Sequence, residues 1–134
     1  MKDKNKLIKY WIKTAEHDYD TMLSLFKSKR YSDCLFYGHI VLEKILKALV
    51  AQNKGSHPKP IHNLLVLIED TGIELAKEDL EFLSEVNKFN IRARYPDYKL
   101  LFYKICTLDY TAPRLEKIKL MYKKLCNALE ISRK

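Results

Sequence analysis

The chain has 134 residues, 47% of them apolar and 31% charged, which suits one folded domain with a single core and excludes a disordered or collagen-like chain. Its 25 Lys and Arg against 17 Asp and Glu give a net charge of +8, which favours an anionic partner: RNA, DNA, a nucleotide or an acidic protein. With only 3 Gly and 4 Pro, and many Leu, Ile, Lys and Glu, the chain is predicted to be mostly helical.

The first helix is expected over about Asn5 to Lys27. Ile8, Trp11, Ala15, Tyr19, Met22 and Phe26 step by three and four along one apolar face. Asp18 lies at the edge of that stripe. A carboxylate there is either buried with a partner or marks the mouth of a cleft. A short turn follows at Lys29 to Asp33, where Ser32 or Asp33 can cap the next helix.

The second helix is expected from about Asp33 to Gln52, with a left-handed stop at Asn53-Lys54-Gly55. Leu35, Leu42, Ile45 and Leu49 line one side, with Cys34, Gly38 and Val41 beside them. This wide band predicts the most buried helix of the bundle. Glu43 and Lys47 are spaced for an i,i+4 pair, and the default for Glu43 and Lys44 is surface charge. Gly38 in mid-helix costs about 1 kcal/mol against Ala, so it predicts close approach of another helix, in this chain or in a second copy.

Gly55 to His62, with two prolines, is an extended loop. A short helix follows from Asn63 to about Asp70. His62 is a candidate ligand or base, but no second His, Cys or carboxylate stands at metal-ligand spacing, so it is expected to cap or pack. A third long helix begins near Ala76 or Lys77, with Leu80, Leu83, Val86 and Asn87 inward. It runs into Asn90-Ile91-Arg92-Ala93-Arg94-Tyr95-Pro96-Asp97-Tyr98, around which the chain is organised. Pro96 biases Tyr95 away from helical torsions, so the helix should stop there. Arg92 and Arg94 then occupy the last turn, where cations suit the helix dipole. Guanidinium forks beside phenol rings can grip phosphate and stack on a base. The plainer alternative is a helix stop whose arginines are solvated or paired with Asp97. The stretch Lys99 to Cys106 is an irregular arm or a short helix. Thr111-Ala112-Pro113 is expected to start the last helix, which carries Leu115, Ile118, Tyr122, Leu125 and Leu129 inward. The expected architecture is all-α: an up-and-down bundle of four main helices with one short additional helix, in a single domain over residues 1–134.

No Gly-rich phosphate loop, H-E-x-x-H, G-x-S-x-G or zinc knuckle is present, so no cofactor and no metal are expected. Cys34, Cys106 and Cys126 are odd in number and lack C-x-x-C spacing, which suits reduced thiols in a cytosol. The first residues carry no apolar signal-peptide core, and His39, Glu43, Lys44 and Lys47 interrupt the most apolar run, so no membrane span is expected. All four histidines precede the arginines, so any chemistry is expected to rest on Arg, Tyr, Asp, Glu or Lys.

Four motifs carry a resemblance to one family. They are Trp11-x3-Ala15-x2-Asp18, the run Leu42-Glu43-Lys44-Ile45-Leu46-Lys47-Ala48-Leu49 (E-K-x-x-K-A), His62-Asn63-Leu64 after a proline loop, and Arg94-Tyr95-Pro96-Asp97. In this order they resemble the HEPN domain, in the branch with R-Y-P-D. The resemblance implies a dimeric helical bundle in the cytoplasm, often paired with a minimal nucleotidyltransferase as toxin and antitoxin. Many such domains are metal-independent RNases that use an Arg followed four to six residues later by His. Here neither Arg92 nor Arg94 is followed by such a histidine; Asp97, Tyr98, Lys99, Leu100 and Leu101 stand there instead.

The leading expectation is therefore a non-catalytic domain that forms a homodimer and binds nucleotide or RNA, or a minimal nucleotidyltransferase partner. Arg92 and Arg94 would clamp phosphate, Tyr95 and Tyr98 would stack or donate, and Asp97 would orient an arginine. Asp18, Glu43, Lys44 and Lys47 would form the cleft wall. The alternatives are a metal-independent endoribonuclease with a histidine-free site, and a purely structural interaction module.

Overall fold

The structure, a computed structural model, describes residues 2–130. Met1 and residues 131–134 of the expected domain lie outside it. Long amphipathic stretches fold as four main helices: α1 (Lys2–Lys27), α2 (Tyr31–Lys54), α4 (Lys77–Arg94) and α6 (Leu108–Asn127). Two short ones complete the bundle, α3 (Leu64–Thr71) and α5 (Pro96–Ile105). The stretch left open between an arm and a helix is thus a helix, and the bundle has two short helices rather than one. Among the described residues there is no strand, and no helix is long and apolar enough to cross a membrane.

Helix α2 is the axis. Its wide apolar band leaves Leu35, Val41, Leu42, Ile45, Leu46 and Leu49 almost fully buried, because α1, α3, α4 and α6 all pack on it. Gly38 permits one of these approaches: a Cβ at this position would collide with the Ile118 side chain of α6. The close neighbour is therefore within the chain. Core positions missed by the sequence pattern are Phe82 and Phe89 on α4 and Phe102 on α5, with Phe89 and Phe102 stacked at 5.9 Å. Phe102 is the one buried residue of α5, so this helix is pinned by a single side chain.

Helix ends follow local chemistry, with two corrections. Gly55 and Gly72 close α2 and α3 in the left-handed conformation. Tyr95, extended at φ −82° and ψ 132°, ends α4 and opens α5, with Pro96 in the first turn, as a residue before proline should. Neither Ser32 nor Asp33 caps α2: the helix begins at Tyr31, after Arg30, which has no side-chain cap and instead pairs with Asp33 at 3.2 Å. Nor does Thr111 open α6. The Thr107 side chain accepts from the Tyr110 N–H at 3.2 Å, and the helix begins one turn earlier than expected. Pro113 therefore lies inside α6. Pro113 offers no N–H to the Asp109 carbonyl, and Asp109 is an exposed residue in the first turn.

Candidate functional site

Of the charged residues of α2, Glu43 and Lys47 are buried and Lys44 is partly so. Asp18 of α1 accepts from the Lys44 ammonium, and the two side chains are 12% and 27% exposed. Glu43 is buried and accepts from Lys47 Nζ at 2.9 Å, the i,i+4 pair that the spacing predicts. The Lys47 ammonium also lies 5.2 Å from the centre of the Trp11 ring, a cation–π contact that helps hold it in a desolvated place. The Trp11 indole Nε1 is buried without a hydrogen-bond partner among the described residues. Surface charge is thus the wrong description of Glu43. It is a buried carboxylate balanced by a buried ammonium.

Two histidines join this carboxylate from other parts of the chain. His62, on the loop before α3, places Nδ1 3.0 Å from Glu43 Oε1. His39, one turn before Glu43 on α2, places Nε2 2.8 Å from the His62 carbonyl oxygen. A carbonyl only accepts, so Nε2 of His39 carries the proton and Nδ1 is its acceptor. Asn90 Nδ2 then donates to that Nδ1 at 3.3 Å, and Asn90 Oδ1 accepts from Arg94 Nη1 at 3.1 Å. The donors all point one way, from Arg94 through Asn90 and His39 to the His62 backbone. Burial lowers the His39 pKa below its ordinary value of 6.5, opposed by the Glu43 charge, so the ring is held neutral. His62 is neither a cap nor a packing group. Asn63 caps α3, accepting from the Leu65 N–H at 3.0 Å, while the His62 ring is 63% exposed. Asn87, expected on the inner face of α4, instead accepts from the Leu64 N–H at 2.9 Å and fixes the start of α3.

The organising stretch divides. Arg92 and Arg94 are two residues apart, and on a helix such positions diverge by roughly 200°. Arg94 is exposed and held by Asn90. Arg92 is half-buried and lies near Cys106 and Tyr110, where its charge opposes the upward push of burial on both groups. The two arginines therefore serve different neighbours. Asp97 stands exposed in the first turn of α5, and Asn90 rather than Asp97 orients Arg94. Tyr95 and Tyr98 are 54% and 49% exposed beside the helix break.

Sequence reasoning gave His39 and Asn90 no role and expected His62 only to cap or pack. The early signal for His39 was its place, with Glu43, Lys44 and Lys47, inside the apolar band of α2. Among the described residues, no group of three or more His, Cys, Asp or Glu is placed to hold a metal ion.

A family model described as HEPN domain matches residues 8–129. Neither the curated proteins nor the solved structures give a match.

Proposed function

The chain belongs to the HEPN domain family, and on that premise we propose that it forms a homodimer and binds nucleotide or RNA through the C-terminal end of α4. We place it in the cytoplasm beside a minimal nucleotidyltransferase partner. Arg94 carries the reading. Its side chain is exposed, is oriented by Asn90, and belongs to the same helix break as the exposed rings of Tyr95 and Tyr98. An oriented guanidinium suits a phosphate, and exposed phenols offer stacking surfaces to bases. The net charge of +8 adds long-range attraction for a polyanion, with Arg92 contributing from the other side of α4.

Dimerisation is supported by α5. Tyr98, Leu101 and Ile105 repeat at three-four spacing on its exposed side, and Leu100 is 70% exposed. An apolar stripe of this kind on a helix pinned by Phe102 alone is suited to cover by a second copy. The free, buried thiols of Cys34, Cys106 and Cys126 suit a reducing compartment.

The test is fluorescence anisotropy with a labelled single-stranded RNA and with labelled ATP, alongside light scattering. Binding should weaken about tenfold in Arg94→Ala, as expected for one charge-assisted contact. A monomer that binds neither probe would overturn the reading. Binding unchanged by Arg94→Ala would move the site elsewhere and favour a purely structural role for this stretch.

A further inference from the structure

Arg92 stands outside the network that holds Arg94. It is half-buried, makes no hydrogen bond or ion pair among the described residues, and lies near Cys106. Cys106 is one wall of a cavity of about 230 Å³ between the α1–α2 turn and the end of α5. Residues 29–33 and Tyr103 form the rest of its lining.

The groups around this cavity are those of an anion site. Helix α2 begins at Tyr31, and its first N–H with a backbone acceptor is that of Cys34, bonded to the Arg30 carbonyl at 2.9 Å. Arg30 supplies no side-chain cap, so the N–H groups of Tyr31, Ser32 and Asp33 have no acceptor among the described residues. Free N–H groups at the positive end of a 24-residue helix attract negative charge. Ser32 gives an independent sign of a ligand. It is only 7% exposed and faces the cavity, yet its hydroxyl makes no hydrogen bond among the described residues. A buried hydroxyl is costly without a partner, and an anion in the cavity supplies the missing acceptor.

The charges of the lining agree. Lys29 and Arg30 stand against one carboxylate, Asp33, whose Oδ2 accepts from Arg30 Nε at 3.2 Å. That pair neutralises itself and leaves the Lys29 ammonium in excess. Burial pushes the Cys106 thiol up to about 12, so this wall carries no negative charge at neutral pH. The cavity is smaller than the roughly 300–1,000 Å³ of a drug-sized ligand's pocket, which favours a small anion over a whole nucleotide. A phosphoryl group offers several strong acceptor oxygens to the three N–H groups and the hydroxyl.

We propose that the cavity at the N-terminus of α2 binds a phosphoryl group, as free phosphate or as a phosphate monoester. The N–H groups of Tyr31, Ser32 and Asp33, the Ser32 hydroxyl and the Lys29 ammonium hold it, and Arg92 adds positive charge from α4. The site uses other residues than the RNA-binding reading of Arg94 and stands or falls apart from it. Tyr103 belongs to α5, which Phe102 alone pins to the core, so an occupied cavity ties this helix to α2.

The experiment is a titration of the full chain with sodium phosphate, followed by amide NMR, against sodium chloride at the same ionic strength. The amides of Tyr31, Ser32 and Asp33 should shift and saturate with phosphate and not with chloride. Ser32→Ala should raise the Kd about tenfold, as for one hydrogen bond to a charged group. Lys29→Ala, on an exposed residue, should also raise it, and Asp33→Asn, which removes the one carboxylate, should lower it. A second arm compares a short RNA bearing a 5′-phosphate with the same RNA bearing a 5′-hydroxyl. Shifts of these amides by the phosphorylated strand alone would support the site and place its phosphate on an RNA end. Saturable shifts by phosphate with no difference between the strands would support it as a site for free phosphate or a small monoester. Amides that neither phosphate nor the phosphorylated strand moves, or a Kd unchanged by both Ser32→Ala and Lys29→Ala, would overturn the proposal and leave the reading of Arg94 untouched.

Discussion

Gly38 and Ile118 set how closely α6 lies on α2: the Ile118 side chain occupies the space that a Cβ at position 38 would need. Ile118 is fully buried and has little room to retreat. Two effects oppose each other in Gly38→Ala. Helix propensity favours Ala by about 1 kcal/mol, while overpacking a filled core costs about 1–3 kcal/mol. The expected outcome is a net loss of about 1 kcal/mol, measured by urea unfolding. A variant more stable than wild type would mean that Ile118 can move aside at little cost.

Thr107 and Thr111 separate two starts for α6. Thr107 receives the Tyr110 N–H, so Thr107→Ala should destabilise by about 1 kcal/mol, the usual loss of an N-cap. The Thr111 hydroxyl is fully buried with no hydrogen-bond partner among the described residues. Thr111→Val, which keeps the shape and removes the unpaired hydroxyl, should be neutral or stabilising. Thermal melts of the two variants would reverse in order if the helix began at Thr111.

Lys44 and Asp18 tie α2 to α1 across a part-buried interface. Lys44→Ala strands a carboxylate that is only 12% exposed, whereas Asp18→Asn leaves an ammonium whose flexible stem can reach solvent. Lys44→Ala should therefore be the more damaging, by roughly 1 kcal/mol. A double-mutant cycle at neutral pH should give a coupling of roughly 1 kcal/mol, and zero coupling would reduce the pair to a surface contact.

His39 makes stability depend on pH. Burial lowers its native pKa below 6.5, so as pH falls through about 6.5 the unfolded chain takes up a proton that the native chain does not. Stability contributed by the neutral ring is present above that value. It is lost progressively until the pH passes below the lowered native pKa. Urea unfolding between pH 8 and 5 should show this decline. His39→Gln should flatten it, although the variant starts from a lower stability.

Burial pushes the thiols of Cys34 and Cys106 each up to about 12. At neutral pH neither should supply thiolate, so an aromatic disulfide reagent should leave both unmodified in the native protein and label them in urea. Rapid native labelling of either would show that the junction of α2 with the start of α6 opens readily.

Most of the fold was legible because its signals are local. The three-four apolar spacing set α1, α2, α4 and α6, and Gly55 and the Tyr95-Pro96 pair stopped helices where torsional preference alone requires it. The start of α6 was misplaced because Thr107 and Thr111 stand one turn apart and both can cap. Local chemistry favoured the threonine before Pro113, while the structure begins the helix at the other.

The sequence by itself determined the main helical segments, that α2 is the most buried, and that the Arg94 to Tyr98 break carries cation and phenol groups. Periodicity and backbone torsions act within a few residues and need no knowledge of the fold. Only the tertiary structure decided that Glu43 meets His62 across 19 residues, that His39 meets Asn90 across 51, and that Arg94 rather than Arg92 shares their network. These contacts depend on which faces of α2 and α4 come together. Packing against the whole core sets that choice, and no single stretch of the chain contains it.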